Sequence, residues 1–215
     1  MDNIYLELKH RLNIITTIKV NHLDSKMSTT EKNNIILNEL DTDFSERIKI
    51  LLDNCNAKGI NFRLVEGIRN PFKQAVYWKQ SRSSVEVKKT IKRLQNQNAD
   101  FIAYCLFIIG EHSIGNLITN ALPGISWHQY GLAVDCVWVV DSNPCWDINK
   151  FHNGVNGYDI LAHEAEKLNI CSGHNWKSIK DSYHLQANFT SPSDIYSLEE
   201  ISSKMEIRYS HLLNS

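Results

Sequence analysis

Hydrophobic positions along the chain change period several times, and each change marks an expected element. Ile4, Leu8 and Leu12 fall at helical spacing. A second helical run, Ile35, Ile36 and Leu40, follows the capping-box pattern Ser28-Thr-Thr-Glu31, so residues 1–41 read as a helical N-terminal extension. Ile48, Leu51, Leu52 and Cys55 then form one helical face, with Gly59 at the position of a C-cap glycine. Ile60, Phe62 and Leu64 alternate with Asn61, Arg63 and Val65, which predicts a strand. Gly67 breaks it, and Asn70-Pro71 supplies an N-cap and first turn for a helix through Gln74 to about Trp78, leaving Arg69 on the intervening turn. The stretch from Ser81 to His112 reads as mainly helical. Pro123-Gly124 signals a turn, Leu132 to Val140 a buried strand, Tyr158 to Leu168 an amphipathic helix and Tyr183 to Ala187 a short strand. Ser191-Pro192 opens a last helix with a face of Ile195, Leu198, Ile201 and Met205. No internal repeat is visible. This order predicts an α+β domain over residues 42–190, with a C-terminal helix over 191–215 packed on it.

Charge and composition narrow the partners. The chain of 215 residues carries 23 basic and 24 acidic side chains, a formal charge of −1, which leaves no positive excess for a phosphate backbone or an anionic lipid surface. Nucleic acid and membrane insertion are therefore not expected, and the apolar run Phe101 to Ile109 is too short to span a bilayer. The polar opening segment carries no classical signal peptide, so the expectation is synthesis in the cytoplasm. Cys55, Cys105, Cys136, Cys145 and Cys171 are odd in number and form no C-x-x-C pair, which argues against a disulfide framework and a thiolate zinc site alike.

Chemistry enters with Asp135. It sits inside Leu132-Ala-Val-Asp-Cys-Val-Trp-Val-Val140, where an ionised carboxylate costs on the order of several kcal/mol unless it is paired or bound to a metal. An arginine or backbone donor would compensate it equally well. Ser126-Trp-His128-Gln-Tyr-Gly131 lies just upstream, however, and a chain turning at Gly131 can bring His128 and Asp135 to one end of a pocket. Asp181-Ser-Tyr-His184 adds a second histidine and a second carboxylate. A catalytic zinc site needs three nitrogen or oxygen ligands, an open position for water and a nearby carboxylate base. His128, Asp135 and His184 supply the ligands for one Zn2+ ion, and Asp181 the base.

Taken together, Val65-Glu-Gly-Ile-Arg69 with Gln74, Ile118 to Asp135 with its S-x-H-x-x-G-x-A-x-D core, and Trp176 to His184 resemble the zinc D-Ala-D-Ala carboxypeptidases and L-alanoyl-D-glutamate endopeptidases, a family that includes VanY-type enzymes and phage endolysins. The similarity runs over about residues 44–189. It implies zinc ligands at His128, Asp135 and His184, a general base at Asp181 and a carbonyl-polarising arginine at Arg69. It also implies a small antiparallel sheet flanked by helices, the arrangement shared with the Hedgehog domain. Where the family commonly reads W-G-G-D-W, this chain reads Ser172-Gly-His-Asn-Trp176, a departure on the substrate side of the site.

For the lesser positions each role has a plainer counterpart. Ser126 orients substrate or caps a turn; Gln74 contacts substrate or hydrogen-bonds behind the site; His174 meets a substrate carboxylate or is an exposed loop histidine; Trp176 lines the substrate side. His112, His152 and His163 lack ligand spacing. The expected function is hydrolysis of peptidoglycan stem peptides next to a D-amino acid, foremost between L-Ala and D-Glu by an endolysin or delivered lytic effector acting on the wall. Removal of terminal D-Ala is the enzymatic alternative, and a zinc-stabilised binding module without turnover is the alternative of another class.

Overall fold

The computed structural model describes residues 27–109, 115–177 and 179–213. The helical run of Ile4, Leu8 and Leu12 lies outside them. The described chain forms two compact units, one of residues 27–68 and 130–189, the other of residues 69–129 and 190–213.

The first unit holds the sheet. Helix α1 (Thr29–Leu37) begins at the capping box read from the sequence, with the Ser28 side chain on the Glu31 N–H and Glu31 on the Ser28 N–H. It is built into the unit: Asn33 donates to the Phe62 carbonyl at 3.2 Å and accepts from the Leu64 N–H at 2.8 Å, satisfying backbone groups on one edge of the sheet. Helix α2 (Thr42–Asn56) is capped by Asp41 and buries Phe44, Ile48, Leu51 and Cys55. Gly59, at φ +76°, ends it: the Ile60 N–H returns to the Cys55 carbonyl and the Gly59 N–H to that of Asn56, a Schellman closure that feeds the chain into β1.

Strands β1 (Asn61–Glu66), β2 (Ala133–Val140), β3 (Asn143–Cys145), β4 (Cys171–Ser172) and β5 (His184–Gln186) are antiparallel, in the order β1-β2-β5-β4 with β3 paired to the far end of β2. Asp141 and Ser142 make the two-residue β2–β3 turn with φ of 49° and 66°, the primed geometry that hairpins favour. Phe62, Leu64, Val134, Cys136, Trp138 and Leu185 point to a core closed by α2 and by α6 (Gly157–Lys167), whose Tyr158 lies edge-on to Phe62 and Trp138.

The second unit is helical. It contains α3 (Pro71–Lys79), α4 (Ser84–Gln95), α5 (Asp100–Ile108) and α7 (Leu198–Tyr209). Asn70 and Pro71 serve as N-cap and first turn of α3, as their order predicts. The last helix differs from expectation: Pro192–Asp194 is a separate 3-10 turn, and α7 starts at a capping box of Ser197 and Glu200. Ile195 therefore lies outside the helix and is exposed, while Ile201 and Met205 are buried. No helix among the described residues is long and apolar enough to cross a membrane. All five cysteines are free thiols, four of them buried.

Candidate metal centre

Strand register builds the first half of the site. Asp135 of β2 stands directly opposite His184 of β5, so their side chains leave the sheet side by side on one face. The residues next to them, Val134, Cys136 and Leu185, point to the other face and into the core. Leu132 to Val140 is thus apolar for the sake of the core, and Asp135 is a polar exception for the sake of what stands opposite. His184 Nδ1 lies 3.1 Å from Asp135 Oδ1. Burial alone would lower the imidazole pKa. The hydrogen bond and charge of Asp135, the bond to Gln186 and the charge of Asp181 outweigh it, and the pKa is raised above the ordinary 6.5.

His128 sits in the 3-10 turn Trp127–Tyr130, which leads through Gly131, at φ +75°, into β2. A left-handed residue is required there, and glycine meets it without a Cβ penalty. One ligand atom each from His128, Asp135 and His184 lies within 4.8 Å of the other two. Two imidazoles and one carboxylate, with His128 and His184 buried and Asp135 half-buried, are a donor set that fits zinc with one position left open. Cys136, one residue from Asp135, adds no ligand: it faces the core, and burial pushes its thiol well above the usual 9.0.

Arg69 is held by a buried amide network. Its Nη1 donates to Gln74 Oε1 at 3.2 Å, and its guanidinium lies over the Tyr77 ring at 5.2 Å. Gln74 is fully buried and turns its amide Nε2 to the Ala121 carbonyl at 2.8 Å. Gln129, also fully buried, donates to Gln74 Oε1 at 3.3 Å and accepts from the N–H groups of Gly124 and Ser126. The Gln129 carbonyl in turn accepts from the Tyr209 hydroxyl of α7 at 2.6 Å. Gln74 is therefore a support for Arg69 and for the 119–129 loop, with no surface to offer a ligand. Ser126 is tied into that loop through its backbone N–H.

Asp181 ends a loop that closes on itself. Its N–H donates to the Gly173 carbonyl at 2.9 Å, and its own carbonyl accepts from the His184 N–H at 3.3 Å. His174 clamps the next residue: Nδ1 is 2.8 Å from the Ser182 hydroxyl and Nε2 is 2.8 Å from Asp159. Its side chain is only 8% exposed, which corrects the reading of an exposed loop histidine: both ring nitrogens are used to fix the segment that carries Asp181. Trp176 lies with its ring 5.3 Å from that of His184 and donates to the Cys171 sulfur, and it remains partly exposed beside the site.

Three residues at the site have no role assigned from the sequence. Glu66 faces Asp135 across the β1–β2 pair, after a bulge at Val65. Gln129 sits inside the motif but reads as filler there, and Gln186 follows His184 in β5.

Residues 119–187 match the family model described as D-alanyl-D-alanine carboxypeptidase. This segment contains all three clustered residues, His128, Asp135 and His184. Among curated proteins it is similar to the peptidoglycan L-alanyl-D-glutamate endopeptidase CwlK of Bacillus subtilis, 33% identical over 84 residues, or 38% of this chain and 50% of that one. The chain thus spans half the length of that relative. Distant structural similarities join it to the L-Ala D-Glu endopeptidase ChiX of Serratia marcescens (TM-score 0.40, 17% identity, 79% of this chain and 96% of that one). A point mutant of the vancomycin-resistance D,D-pentapeptidase VanY, solved with Zn(II), is similar at a TM-score of 0.37 and 20% identity, over 75% of this chain and 83% of that one.

Proposed function

We propose that the chain is a zinc peptidase that hydrolyses peptidoglycan stem peptides next to a D-amino acid, acting at the cell wall. The observation that carries this reading is the approach of His128, Asp135 and His184 to within 4.8 Å of one another in the segment that matches the family. These three residues would hold one Zn2+ ion, which when bound acidifies a water molecule and polarises a carbonyl oxygen. Asp181 accepts the proton of the attacking water and later returns it to the departing amine, so one carboxylate serves both halves of the hydrolysis. Arg69 stabilises the negative charge that develops on the carbonyl oxygen, and the Gln74 bond fixes where its guanidinium points. Trp176 and Ser126 flank the bound peptide.

Within this class the bond between L-Ala and D-Glu is the first choice, supported by the similarity to CwlK, and the setting is an endolysin or a delivered lytic effector. Removal of terminal D-Ala is the second, supported by the description of the family model. Purified muropeptides incubated with the zinc-loaded protein and analysed by mass spectrometry decide between them: loss of terminal D-Ala marks a carboxypeptidase, and release of the peptide beginning at D-Glu, with L-Ala left on the sugar, marks an endopeptidase. Stoichiometric zinc without any turnover would make the chain a binding module and overturn the enzymatic reading.

A further inference from the structure

Beyond the three ligands, β5 contains a device that sets which nitrogen of His184 faces the site. Strand alternation puts Gln186 on the same face as His184, and the register places Ala133, a methyl side chain, directly opposite Gln186. The small partner leaves room for the glutamine to lie back along its own strand. Gln186 Oε1 is 2.9 Å from His184 Nε2, and Gln186 Nε2 is 2.5 Å from the Asn188 carbonyl. Both His184 and Gln186 are buried, each 8% exposed, so neither contact has water as a ready substitute.

The direction of each hydrogen bond follows from what each group is able to do. A backbone carbonyl only accepts, so the end of the Gln186 amide that meets Asn188 is the NH2 group. The other end is then the carbonyl oxygen, which also only accepts, and His184 Nε2 must carry the hydrogen it receives. That leaves Nδ1, 3.1 Å from Asp135, as the nitrogen with a lone pair for a metal.

Resting on the metal-centre reading above, we propose that Gln186 is a positioning residue: it holds the Nε2 hydrogen of His184 and thereby aims Nδ1 at the ion shared with Asp135 and His128. The Nε2 hydrogen bond to Gln186 holds the ring in this orientation. Without the acceptor it is free to rotate about χ2 or to take the other tautomer, and binding must then restore the order that the parent protein already has.

The test compares Gln186→Met, which keeps length and burial but cannot accept the hydrogen bond, with Gln186→Glu, which keeps the acceptor while losing the donor to Asn188. Zinc affinity is measured by chelator competition, and the His184 Nε2–H signal is followed in proton–nitrogen NMR spectra of the zinc-loaded protein. Gln186→Met should weaken zinc binding about 10- to 100-fold and abolish the slowly exchanging Nε2–H signal. Gln186→Glu should keep the signal and bind within a few-fold of the parent. Unchanged affinity in Gln186→Met, or equal losses in both variants, would overturn the proposal, the latter because it would assign the effect to the Asn188 anchor. Should the methionine variant not fold, loss of the Nε2–H signal in Gln186→Glu is itself decisive against it. His184→Ala separates the two levels: parental zinc affinity in that variant sinks the metal centre, whereas lost affinity there with an unaffected Gln186→Met sinks only the role of Gln186.

Discussion

Replacing Gln129 with methionine tests whether the buried amide network supports the site. The substitution preserves side-chain volume closely, so it adds no cavity, but it removes the acceptor for two backbone N–H groups. The Gly124 N–H lies 3.2 Å from Gln129 Oε1 and the Ser126 N–H 3.1 Å. Gly124 is buried and Ser126 is half-buried, so water reaches the second more readily than the first. A buried donor left without a partner costs about 1–3 kcal/mol. Charging Gly124 toward the upper end and Ser126 toward the lower gives about 3–4 kcal/mol. Burial of methionine in place of an amide offsets roughly 1–2 kcal/mol of that, for a net loss of about 1–3 kcal/mol. At this chain length each kcal/mol moves the melting temperature by about 2–4 °C, so Tm should fall by about 2–12 °C. Denaturant midpoints and thermal melts of the metal-free protein measure the loss. Zinc affinity should fall with it, because the 124–129 segment carries His128. Gln74→Met and the double variant complete a cycle, in which the Gln129–Gln74 bond predicts coupling of about 0.5 kcal/mol or more. A Gln129→Met protein within about 0.5 kcal/mol of the parent would refute the reasoning.

Three further outcomes are expected. Asp181→Asn, which cannot take up a proton at neutral pH, should lower kcat on muropeptides about 100- to 10,000-fold with zinc content near that of the parent, as metal analysis and steady-state assays will show. Gly173→Ala should destabilise by about 1–3 kcal/mol and cut turnover, because its methyl would overlap the Asp181 carbonyl oxygen, a backbone atom that moves only with the loop; unchanged melting and kinetics would refute that packing. The carboxyls of Glu31, Glu86 and Glu200 are held below the usual 4.5 by their bonds to the backbone and hydroxyl groups of Ser28, Ser83 and Ser197. Because the folded values are the lower ones, this stabilisation is complete above the unfolded value near 4.5 and is lost as pH falls through the folded values, so a triple Ser→Ala variant should show a shallower loss of stability below pH 4.5 than the parent.

What the sequence disclosed follows physical cost. A carboxylate in an otherwise apolar strand is expensive, so Asp135 announced a partner. The strand alternation that made it conspicuous is also what sets it beside His184. Helix starts were legible where a side chain caps the backbone, at Ser28 and at Asn70-Pro71. The last helix was misplaced because Ser191-Pro192 and Ser197 offer equal start signals, and only the inward packing of Ile201 and Met205 chooses between them. Strand β3 was missed because Asp141 and Ser142 adopt positive φ without the glycine or asparagine that usually marks such a turn.

The family resemblance drew attention to Gln74 and His174, but the partners of the supporting residues were silent for a related reason. Gln74, Gln129 and Gln186 are neutral, and a neutral amide leaves no imbalance in the sequence around it for a reader to notice. Its cost appears only on burial, where each amide must find partners for both ends, and those partners are set by tertiary structure: Ala121 and Arg69 for Gln74, Gly124 and Ser126 for Gln129, His184 and Asn188 for Gln186. His174 belongs to the same class. Its two nitrogens are committed to Ser182 and Asp159, at sequence distances that no local pattern reveals. The proposed ligands and base are thus the part of this site that chemistry makes conspicuous. The amides that aim them become visible only once the chain is folded, which is why the proposed roles of Gln129 and Gln186 are the ones that substitution experiments test most directly.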